Sequence, residues 1–333
     1  MKIAIDAWGG DFAPHEILKG VKESYTKDCS LILVGPKEQL IRLYSEYQMD
    51  ETRFPIEDAP QVIGMDENPT EAVRKKPLSS ICRGIQLLAE KKVDAFVSAG
   101  STGAVMAAAW LGLERIAGVE RPAIVTSIPN PNAYTLLLDV GANVDCKPQH
   151  LLHFAVMGAE YAKITLGVDN PKVGLLSIGE EENKGNELSK ATYKLLKSRE
   201  NVLNFDFIGN VEGYNIVDGK ADVVVCDGFT GNALLKFGEG IIELIFKIVR
   251  ENIKEPTSVA KIQEAWKAFD WSEYGGAPLL GVEGVCVICH GKSKAKGIKS
   301  AILKAKELVE NGIVPAIRER LSKLNAEEAR GVR

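Results

Sequence analysis

Residues 221–236 read ADVVVCDGFTGNALLK, and this stretch decides the fold class of the protein. Residues 221–226 are apolar and β-branched, as expected for a buried parallel strand. A Gly-rich turn at 227–232 follows and leads into a long apolar-periodic helix. Such a unit leaves backbone N–H groups at a helix N-terminus, where the helix dipole favours an anion. The stretch predicts either a phosphate-binding turn or a plain tight connection with glycines for turn geometry.

A second strand–GxTG–helix unit occurs earlier, where residues 93–106 read VDAFVSAGSTGAVM. The alignment of the two stretches at one constant offset pairs Asp94 with Asp222, Gly100 with Gly228, Thr102 with Thr230 and Gly103 with Gly231. It predicts two related βα halves, around residues 93–106 and 221–234, with chance similarity between two ordinary turns as the alternative. Ligands of open α/β sheets bind beyond the carboxyl ends of the strands, so we expect both turns near one cleft.

The bulk composition predicts a globular protein. The chain has 333 residues, of which 45% are hydrophobic, enough for a large core in one α/β unit or two subdomains. The net charge of −4 gives no indication of nucleic-acid binding. Six scattered cysteines in mostly apolar runs favour reduced thiols over disulfides. Because no signal-peptide core and no run of membrane-spanning length occurs, we expect a cytoplasmic protein.

Polar side chains follow several of the predicted strands. Asp139 and Asn143 lie in the run LLLDVGANVD, and Lys184 and Asn186 lie in the run EEENKGNE. His290 ends the last predicted strand, where a role in chemistry and a role in helix capping are equally good interpretations. These residues are candidates for a site because strand ends are where α/β sheets bind ligands.

Three patterns invite a metal or haem interpretation. His150 and His153 are three positions apart on a predicted helix, but no third ligand has a suitable spacing. The glutamates of EEENKGNE are more simply explained as an exposed acidic turn at a helix start. Residues 286–290, CVICH, match the c-type haem pattern, yet haem attachment requires export. We therefore expect neither a metal nor a cofactor.

Three common enzyme motifs are missing from the sequence. It contains no G-x-x-x-x-G-K-[ST] phosphate loop, no G-x-S-x-G elbow and no full G-x-G-x-x-G fingerprint. Their absence disfavours nucleotide triphosphate hydrolysis, serine-hydrolase chemistry and standard dinucleotide binding.

Residues 234–270 are predicted to form a helical hairpin. Apolar residues between 237 and 249 cover more than one helical stripe, and Pro256 separates the first helix from a second one. We expect a dimer interface there, because closed two-fold dimers are the commonest oligomers. Contact with a membrane surface is the second interpretation, and the two are compatible.

Two basic clusters stand out in a chain of net negative charge. One comprises Arg74, Lys75 and Lys76, and the other includes Lys292 and Lys294 at the start of the predicted C-terminal helix. A solvated helix face is the ordinary explanation of such a cluster. The functional alternative is a docking surface for an acidic partner or for phosphate.

Nine motifs in order along the chain resemble one family. They are DAWGGDFAP (6–14), AVRKKPLSS (72–80), SAGSTGA (98–104), LLLDVGANVD (136–145), KGNE (184–187), FIGNVEG (207–213), ADVVVCDGFTGN (221–232), YGGAPLLG (274–281) and ICHG (288–291). The chain resembles the bacterial acyl-ACP:phosphate acyltransferases, the PlsX family, over almost its whole length. The family usually has Met and His where this chain has Trp8 and Phe12, so no role of that histidine carries over.

The resemblance implies a fold and an activity. The fold is a Rossmann-like, mostly parallel α/β sheet layered by helices, related to phosphotransacetylases and isocitrate dehydrogenases, with residues 1–333 forming one catalytic unit. The resemblance also implies an enzyme without a cofactor that acts as a cytoplasmic homodimer at the inner face of the membrane. This enzyme converts the thioester of acyl carrier protein and inorganic phosphate into acyl phosphate, which a glycerol-3-phosphate acyltransferase uses in phospholipid synthesis.

The residues and the resemblance together give a hypothesis for the site. Phosphate lies on the turn of Gly100, Ser101, Thr102 and Gly103 and on the turn of Gly228, Thr230 and Gly231, with Lys184 and Asn186 near it. Asn143, Asn232 or His290 polarises the carbonyl or assists the departing thiolate, and Asp139 and Asp227 orient these groups. The basic clusters Arg74–Lys76 and Lys292–Lys299 receive the acidic carrier protein.

Two further interpretations remain open at this stage. A coenzyme A-dependent phosphotransacetylase or a hydroxyacid dehydrogenase would have a similar architecture. A non-catalytic scaffold at the membrane surface, built on the hairpin, would bind lipid and turn nothing over. Substrate choice and turnover separate these possibilities from the acyltransferase.

Overall fold

The structure, a computed structural model, describes residues 1–252, 255 and 275–331, with side chains up to residue 326. The chain divides into two compact units. The first comprises Met1–Pro122 and Tyr274–Glu319, and the second comprises Ala123–Glu273 and Arg320–Arg333.

The amino-terminal part of the first unit alternates short buried strands with amphipathic helices. The side chains of the inner strands are almost all buried, which explains their continuous apolar runs. The elements are β1 (Lys2–Asp6), α1 (His15–Glu23), β2 (Ser30–Gly35), α2 (Lys37–Tyr47), β3 (Ile56–Asp58), α3 (Pro69–Lys75), α4 (Ser80–Ala89), β4 (Ala95–Ser98) and α5 (Thr102–Gly112).

The second unit repeats this alternation of strands and helices. Its longest buried helix, α6, presents apolar side chains on nearly all sides because it is covered all round. The elements are β5 (Ala123–Pro129), β6 (Tyr134–Leu138), α6 (Pro148–Leu166), β7 (Lys172–Leu176), α7 (Glu187–Ser198), β8 (Asp206–Val211), β9 (Val223–Val225) and α8 (Gly228–Asn252).

The chain then completes the first unit. Two strands, β10 (Ala277–Leu280) and β11 (Val285–Ile288), precede the helices α9 (Ala295–Glu310) and α10 (Ile313–Gly331). Helix α9 packs against α1, and the residues of α10 from position 320 on belong to the second unit.

Each unit contains a mostly parallel sheet with one antiparallel edge pair. The strand order is β3-β2-β1-β4-β11-β10 in the first unit and β5-β6-β9-β7-β8 in the second. Only β10 in the first unit and β5 in the second run antiparallel to their neighbours β11 and β6 in the described registers. The prediction of a Rossmann-like, mostly parallel α/β fold is confirmed.

The strand that feeds each GxTG sequence lies between two parallel neighbours. Strand β4 pairs with β1 and β11, and β9 pairs with β6 and β7. The aspartate that precedes each of these two strands binds the first residue of a neighbouring strand in the same way. Asp94 Oδ2 accepts the amide of Lys2, and Asp222 Oδ2 accepts the amide of Lys172, both at 2.7 Å. These matches support the two related halves, which stay a prediction.

The predicted Gly-rich turn at 227–232 is wrong in its boundaries, because most of it is already helix. Helix α8 begins at Gly228, since Asp227 caps it by accepting the amide of Thr230 at 2.8 Å. In the same way, α5 begins at Thr102 behind the capping Ser101. Glycine is a poor helix former, so propensity alone places both helix starts too late.

Only the first helix of the predicted hairpin falls within the described residues. Helix α8 buries just Gly228 and Gly231 and exposes most of its apolar side chains. The predicted second helix lies outside the described residues. Among the helices that are described, none combines the length and apolar character needed to span a membrane.

Candidate active site

Three strand ends meet in the first unit, at the loops that follow β1, β4 and β11. The amide of Asp11 donates to the carbonyl of Gly291 at 2.8 Å, which joins the first loop to the last. A Cβ placed on Gly10 would lie 3.0 Å from the carbonyl oxygens of both Ala99 and Gly291. Gly10 has a φ of +98°, so this close approach requires glycine. The loops form one surface at the carboxyl ends of the strands.

Helix α5 begins at this surface with a capped N-terminus. The hydroxyl of Ser101 accepts the amide of Ala104 at 3.4 Å, and its carbonyl accepts the amide of Val105. Helix geometry leaves the amides of Thr102 and Gly103 without an intrahelical acceptor. Thr102 is exposed, so this helix start meets solvent and offers an anion two adjacent N–H donors with the helix dipole behind them.

Asp6 lies buried at the end of β1, beneath the turn that leads into α5. Its carboxylate accepts the hydroxyl of Ser98 at 2.7 Å and the amide of Trp8 at 3.1 Å. Burial raises the pKa of the Asp6 carboxyl, and these hydrogen bonds oppose the rise. Neither Asp6 nor Ser98 belongs to the predicted site. An acid at the end of the first strand is a sequence signal for a site residue, and Asp6 carries it. A serine inside an apolar strand, such as Ser98, carries no such signal.

His290 lies exposed at the end of β11, as its place in the sequence predicts. Its Nδ1 accepts the amide of Lys292 at 3.1 Å, and its carbonyl accepts the amide of Ser293. Because Nδ1 is an acceptor, the neutral ring carries its proton on Nε2. His290 therefore caps the following turn and also presents an N–H donor, so both of its predicted roles are compatible.

A buried carboxylate organises the strand ends of the second unit. Asp139 follows β6, and its Oδ1 accepts the amides of Ile124, Gly141 and Ala142 at 2.9–3.2 Å. Its Oδ2 accepts the amide and the side-chain Nδ2 of Asn143 at 2.7 and 2.9 Å. Burial raises the pKa of Asp139 against the effect of these donors. Asp139 holds the loop rather than facing solvent.

The start of α8 packs onto the Asp139 loop. The amide of Gly228 donates to the carbonyl of Asn143 at 2.7 Å. The amides of Thr230 and Gly231 donate to Oδ1 and to the carbonyl of Asp227. The three amides predicted to bind phosphate in this half therefore have internal acceptors. This differs from α5, where the matching amides of Thr102 and Gly103 are not used by the helix.

Asn232 belongs to the same cluster as Asp139 and Asn143. It is exposed one turn into α8, and a Cβ on Gly141 would lie 3.7 Å from its Oδ1. The structure thus gathers four of the predicted residues of the second unit, Asp139, Asn143, Asp227 and Asn232, around the start of α8. Of these four residues, Asn232 is the exposed one.

Lys184 and Asn186 lie on the loop between β7 and α7. Asn186 caps α7, since its Oδ1 accepts the amide of Ser189 at 2.9 Å. Lys184 is exposed, and its own amide donates to the carbonyl of Glu181. Gly185 between them has a φ of +103°, which gives the loop its sharp turn. Lys184 offers a cation, whereas Asn186 has a structural role already.

Two lysines of the first basic cluster have acidic partners, and one lysine of the second lies over an aromatic ring. Lys75 pairs with Glu71 at 2.5 Å, and Lys76 donates to Glu67 at 2.6 Å. Lys76 also donates to a loop carbonyl, which makes it part of the local structure. In the second cluster, Lys294 stacks on the ring of Phe12 at 5.9 Å.

The histidines and cysteines of the described residues form no metal site. His150 Nδ1 accepts the amide of Lys147, and His153 bonds the side chain of Gln149. Both rings are buried within α6. All six cysteines are free thiols. In the described part of the chain, no group of three or more His, Cys, Asp or Glu side chains has the arrangement of a metal site.

Comparison with known proteins identifies the family. Residues 1–315 match the family described as "Fatty acid synthesis protein". The chain belongs to this family. It is 50% identical to the Phosphate acyltransferase of Pelotomaculum thermopropionicum, with 99% of this chain and 98% of that protein covered. It is 49% identical to the Phosphate acyltransferase of Desulfitobacterium hafniense over 98% of this chain and 99% of that protein. The resemblance to the PlsX family is confirmed.

Solved structures with low sequence identity share the fold. The EutD phosphotransacetylase of Staphylococcus aureus has a TM-score of 0.61 at 16% identity and covers 93% of this chain and 94% of its own. A branched-chain phosphotransacylase of Enterococcus faecalis has a TM-score of 0.59 at 15% identity, over 93% of this chain and 99% of its own. The predicted relation of the fold to phosphotransacetylases is confirmed.

Proposed function

We propose that this protein transfers an acyl group from the thioester of acyl carrier protein to inorganic phosphate. The observation that carries the proposal is the near-complete alignment, at 50% identity, with a protein named Phosphate acyltransferase. The exposed start of α5 supports the proposal, because the helix does not use the amides of Thr102 and Gly103. An acyl transfer to phosphate requires a phosphate-binding site, and these two donors can form one. The acyl phosphate would then supply the acylation of glycerol 3-phosphate in phospholipid synthesis.

The proposed step is a direct displacement at the thioester carbonyl. A phosphate oxygen forms a bond to the carbonyl carbon, and the carbon–sulfur bond breaks. The electron pair leaves with the sulfur as the carrier thiolate, which takes up the proton that the attacking hydrogen phosphate loses. Because a thiolate leaves readily, positioning of phosphate and stabilisation of the developing oxyanion supply the acceleration without an acyl-enzyme.

Phosphate binds, in this proposal, at the N-terminus of α5. The amides of Thr102 and Gly103 donate to its oxygens, and the hydroxyl of Thr102 adds a third donor. Ser101 and Gly100 shape the turn. In the second GxTG sequence, Gly228, Thr230 and Gly231 have internal acceptors for their amides. There we propose that these residues support the neighbouring Asn232 and do not themselves hold phosphate.

Each unit offers donors of its own for the thioester. In the first unit, Nε2 of His290 presents a proton to a carbonyl oxygen or a thiolate. In the second unit, the amide of Asn232 suits a developing oxyanion, and the ammonium of Lys184 suits negative charge. The donors of the second unit are oriented by residues whose own hydrogen bonds are already made within that unit, namely Asn143, Asp139, Asp227 and Asn186.

A phosphate-dependent assay on the purified full chain tests the proposal. The substrates are long-chain acyl carrier protein and phosphate, the acyl phosphate is trapped with hydroxylamine, and free carrier thiol is followed. The expected result is formation of both products only when phosphate is present. Turnover with acyl coenzyme A but not with the carrier would make the protein a phosphotransacetylase. A folded protein that turns over neither would favour the scaffold interpretation.

The two basic clusters are the proposed dock for the acidic carrier protein. Replacing Arg74 and Lys292 with glutamate is expected to raise the KM for acyl carrier protein about tenfold, because exposed charges govern encounter with a charged partner. The KM for phosphate is expected to stay unchanged. Lys27, an exposed lysine outside both clusters, provides the control as Lys27→Glu. An unchanged KM for the carrier in the double variant would remove both clusters from the proposal.

The exposed apolar stripe of α8 is the proposed interface with a second copy of the chain. Phe237, Ile241, Leu244 and Ile248 recur at helical spacing, and each is at least one-third exposed. Analytical ultracentrifugation is expected to show a dimer for the wild type and a monomer for Ile241→Glu/Leu244→Glu, with Glu243→Gln on the same helix as the control. A monomeric wild type that floats with liposomes would instead assign the stripe to the membrane surface.

A further inference from the structure

The turn that precedes α5 is connected by hydrogen bonds to a buried acid, Asp6, through one intermediate side chain, that of Ser98. The side chain of Asp6 has no exposed surface, and that of Ser98 is 1% exposed. The hydroxyl of Ser98 donates to Asp6 Oδ2 at 2.7 Å. The same hydroxyl oxygen accepts the amide of Gly100 at 3.0 Å. A buried carboxylate is thus connected to the backbone of the GxTG turn.

The direction of these hydrogen bonds is determined by the chemistry of the groups. A hydroxyl has one hydrogen, and the carboxylate takes it, so the lone pairs of Ser98 are left for the Gly100 amide. The backbone of Ser98 cannot shift independently, because its carbonyl accepts the amide of Cys289, the residue after β11, at 2.8 Å. Asp6 therefore decides which way the Ser98 hydroxyl points, and Ser98 decides where the Gly100 amide lies.

The loop after β1 and the GxTG turn pack so closely around this connection that they leave no room for a side chain at Gly9 and little at Gly100. A Cβ on Gly9 would lie 2.3 Å from Asp6 Oδ2 and 2.5 Å from the nitrogen of Gly100. A Cβ on Gly100 itself would lie 3.2 Å from the Ser98 hydroxyl. Only a backbone without side chains passes between the acid and the turn. The connection is therefore built into the loop after β1 as well as into β4.

The second unit contains a connection of the same kind. Asp139, also fully buried, accepts the amide and the side chain of Asn143, and the carbonyl of Asn143 accepts the amide of Gly228 at 2.7 Å. Gly100 and Gly228 are the matching first glycines of the two GxTG sequences. In both units, a buried acid at a strand end holds that glycine amide through one intermediary residue.

We propose that Asp6 and Ser98 are positioning residues for phosphate at the start of α5. They do not touch phosphate. By holding the Gly100 amide they set the position of the next residues, so that the amides of Thr102 and Gly103 converge on one point. This inference rests on the proposed function, because it assumes that phosphate binds at this helix start. A displacement of about 1 Å in such a site can reduce a rate by about two orders of magnitude.

Removal of the Ser98 hydroxyl tests the inference. Ser98→Ala is expected to weaken phosphate binding by about tenfold, measured as the Kd for inorganic phosphate by titration calorimetry and as the KM for phosphate in the assay. The KM for acyl carrier protein is expected to stay unchanged. Ser98→Thr keeps the hydroxyl and is expected to recover most of the binding. Ser24→Ala is the control, because Ser24 is another buried serine of the first unit and its hydroxyl donates to the carbonyl of Gly20 at 2.6 Å.

The outcomes separate this inference from the proposed function. Wild-type phosphate affinity in Ser98→Ala would overturn the positioning role and leave the proposed function standing. An equal rise in the KM of both substrates, with a lower Tm, would reduce Ser98 to a structural residue and likewise overturn the positioning role. A wild type that neither binds phosphate nor turns over with it would overturn the proposed function and this inference together.

Discussion

Replacing Gly231 with alanine is expected to lower the free energy of unfolding by about 3 kcal/mol. A Cβ at this position would lie 1.9 Å from the carbonyl oxygen of Asp139 and 3.0 Å from the sulfur of Cys226. The first of these is backbone, and the Asp139 loop is held by several hydrogen bonds, so it cannot move aside cheaply. Helix α8 would have to shift away from the loop that supports Asn232.

The same helix provides matched controls for the Gly231 prediction. A Cβ on Gly238 or Gly240 would meet nothing within 4 Å. Gly238→Ala and Gly240→Ala are therefore expected to be neutral or stabilising by up to about 1 kcal/mol, the ordinary gain of alanine over glycine in a helix. Denaturant unfolding of the three variants provides the comparison. A Gly231→Ala protein as stable as these controls would contradict the packing of α8 on the Asp139 loop.

Replacing Asn232 with alanine is expected to reduce turnover about 100-fold while the protein stays folded. Asn232 is exposed, and its amide is the donor that we propose for the oxyanion, so its loss raises the barrier without leaving a buried cavity. Lys184→Ala is expected to lower turnover as well, because it removes an exposed cation that we propose to act on negative charge. The kcat with acyl carrier protein and phosphate, together with the circular dichroism spectrum, provides the check.

Asn252→Ala is the control for Asn232→Ala, because it removes the same side chain from the far end of α8. Its Nδ2 donates to the carbonyl of Ile248 and has no part in the proposed chemistry. Wild-type kcat is expected in this variant. Full activity in both Asn232→Ala and Lys184→Ala would overturn their assignment.

Local pattern was sufficient to predict the fold class. Apolar β-branched runs such as residues 221–226 are typical of strands buried in the middle of a sheet, and the intervening periodic segments have the length of crossover helices. The two GxTG sequences also placed the candidate site at strand ends, and the structure puts both helix starts there. These features depend on neighbouring residues, so the sequence displays them directly.

Which donors are already hydrogen-bonded within the protein could not be predicted from local pattern. Both GxTG sequences look open to phosphate at their first glycine, yet the amide of Gly228 is taken by the carbonyl of Asn143, distant along the chain, and the amide of Gly100 is taken by the hydroxyl of Ser98. From the sequence, Lys76 is expected to be a free cation beside Lys75. In the structure it forms a salt bridge with Glu67, which lies on a loop. Whether a donor or a charge is available depends on contacts between distant segments, which no local pattern records.

The sequence by itself determined a mostly parallel α/β fold, the family, and the segments that we propose to hold phosphate. These follow from periodicity and from short motifs, whose residues act together because they are neighbours in the chain. Only the tertiary structure decided that the amide of Gly228 at the start of α8 is taken by the carbonyl of Asn143. It also placed Ser98 between a buried acid and Gly100, because hydrogen bonds across a sheet join residues that the chain keeps far apart.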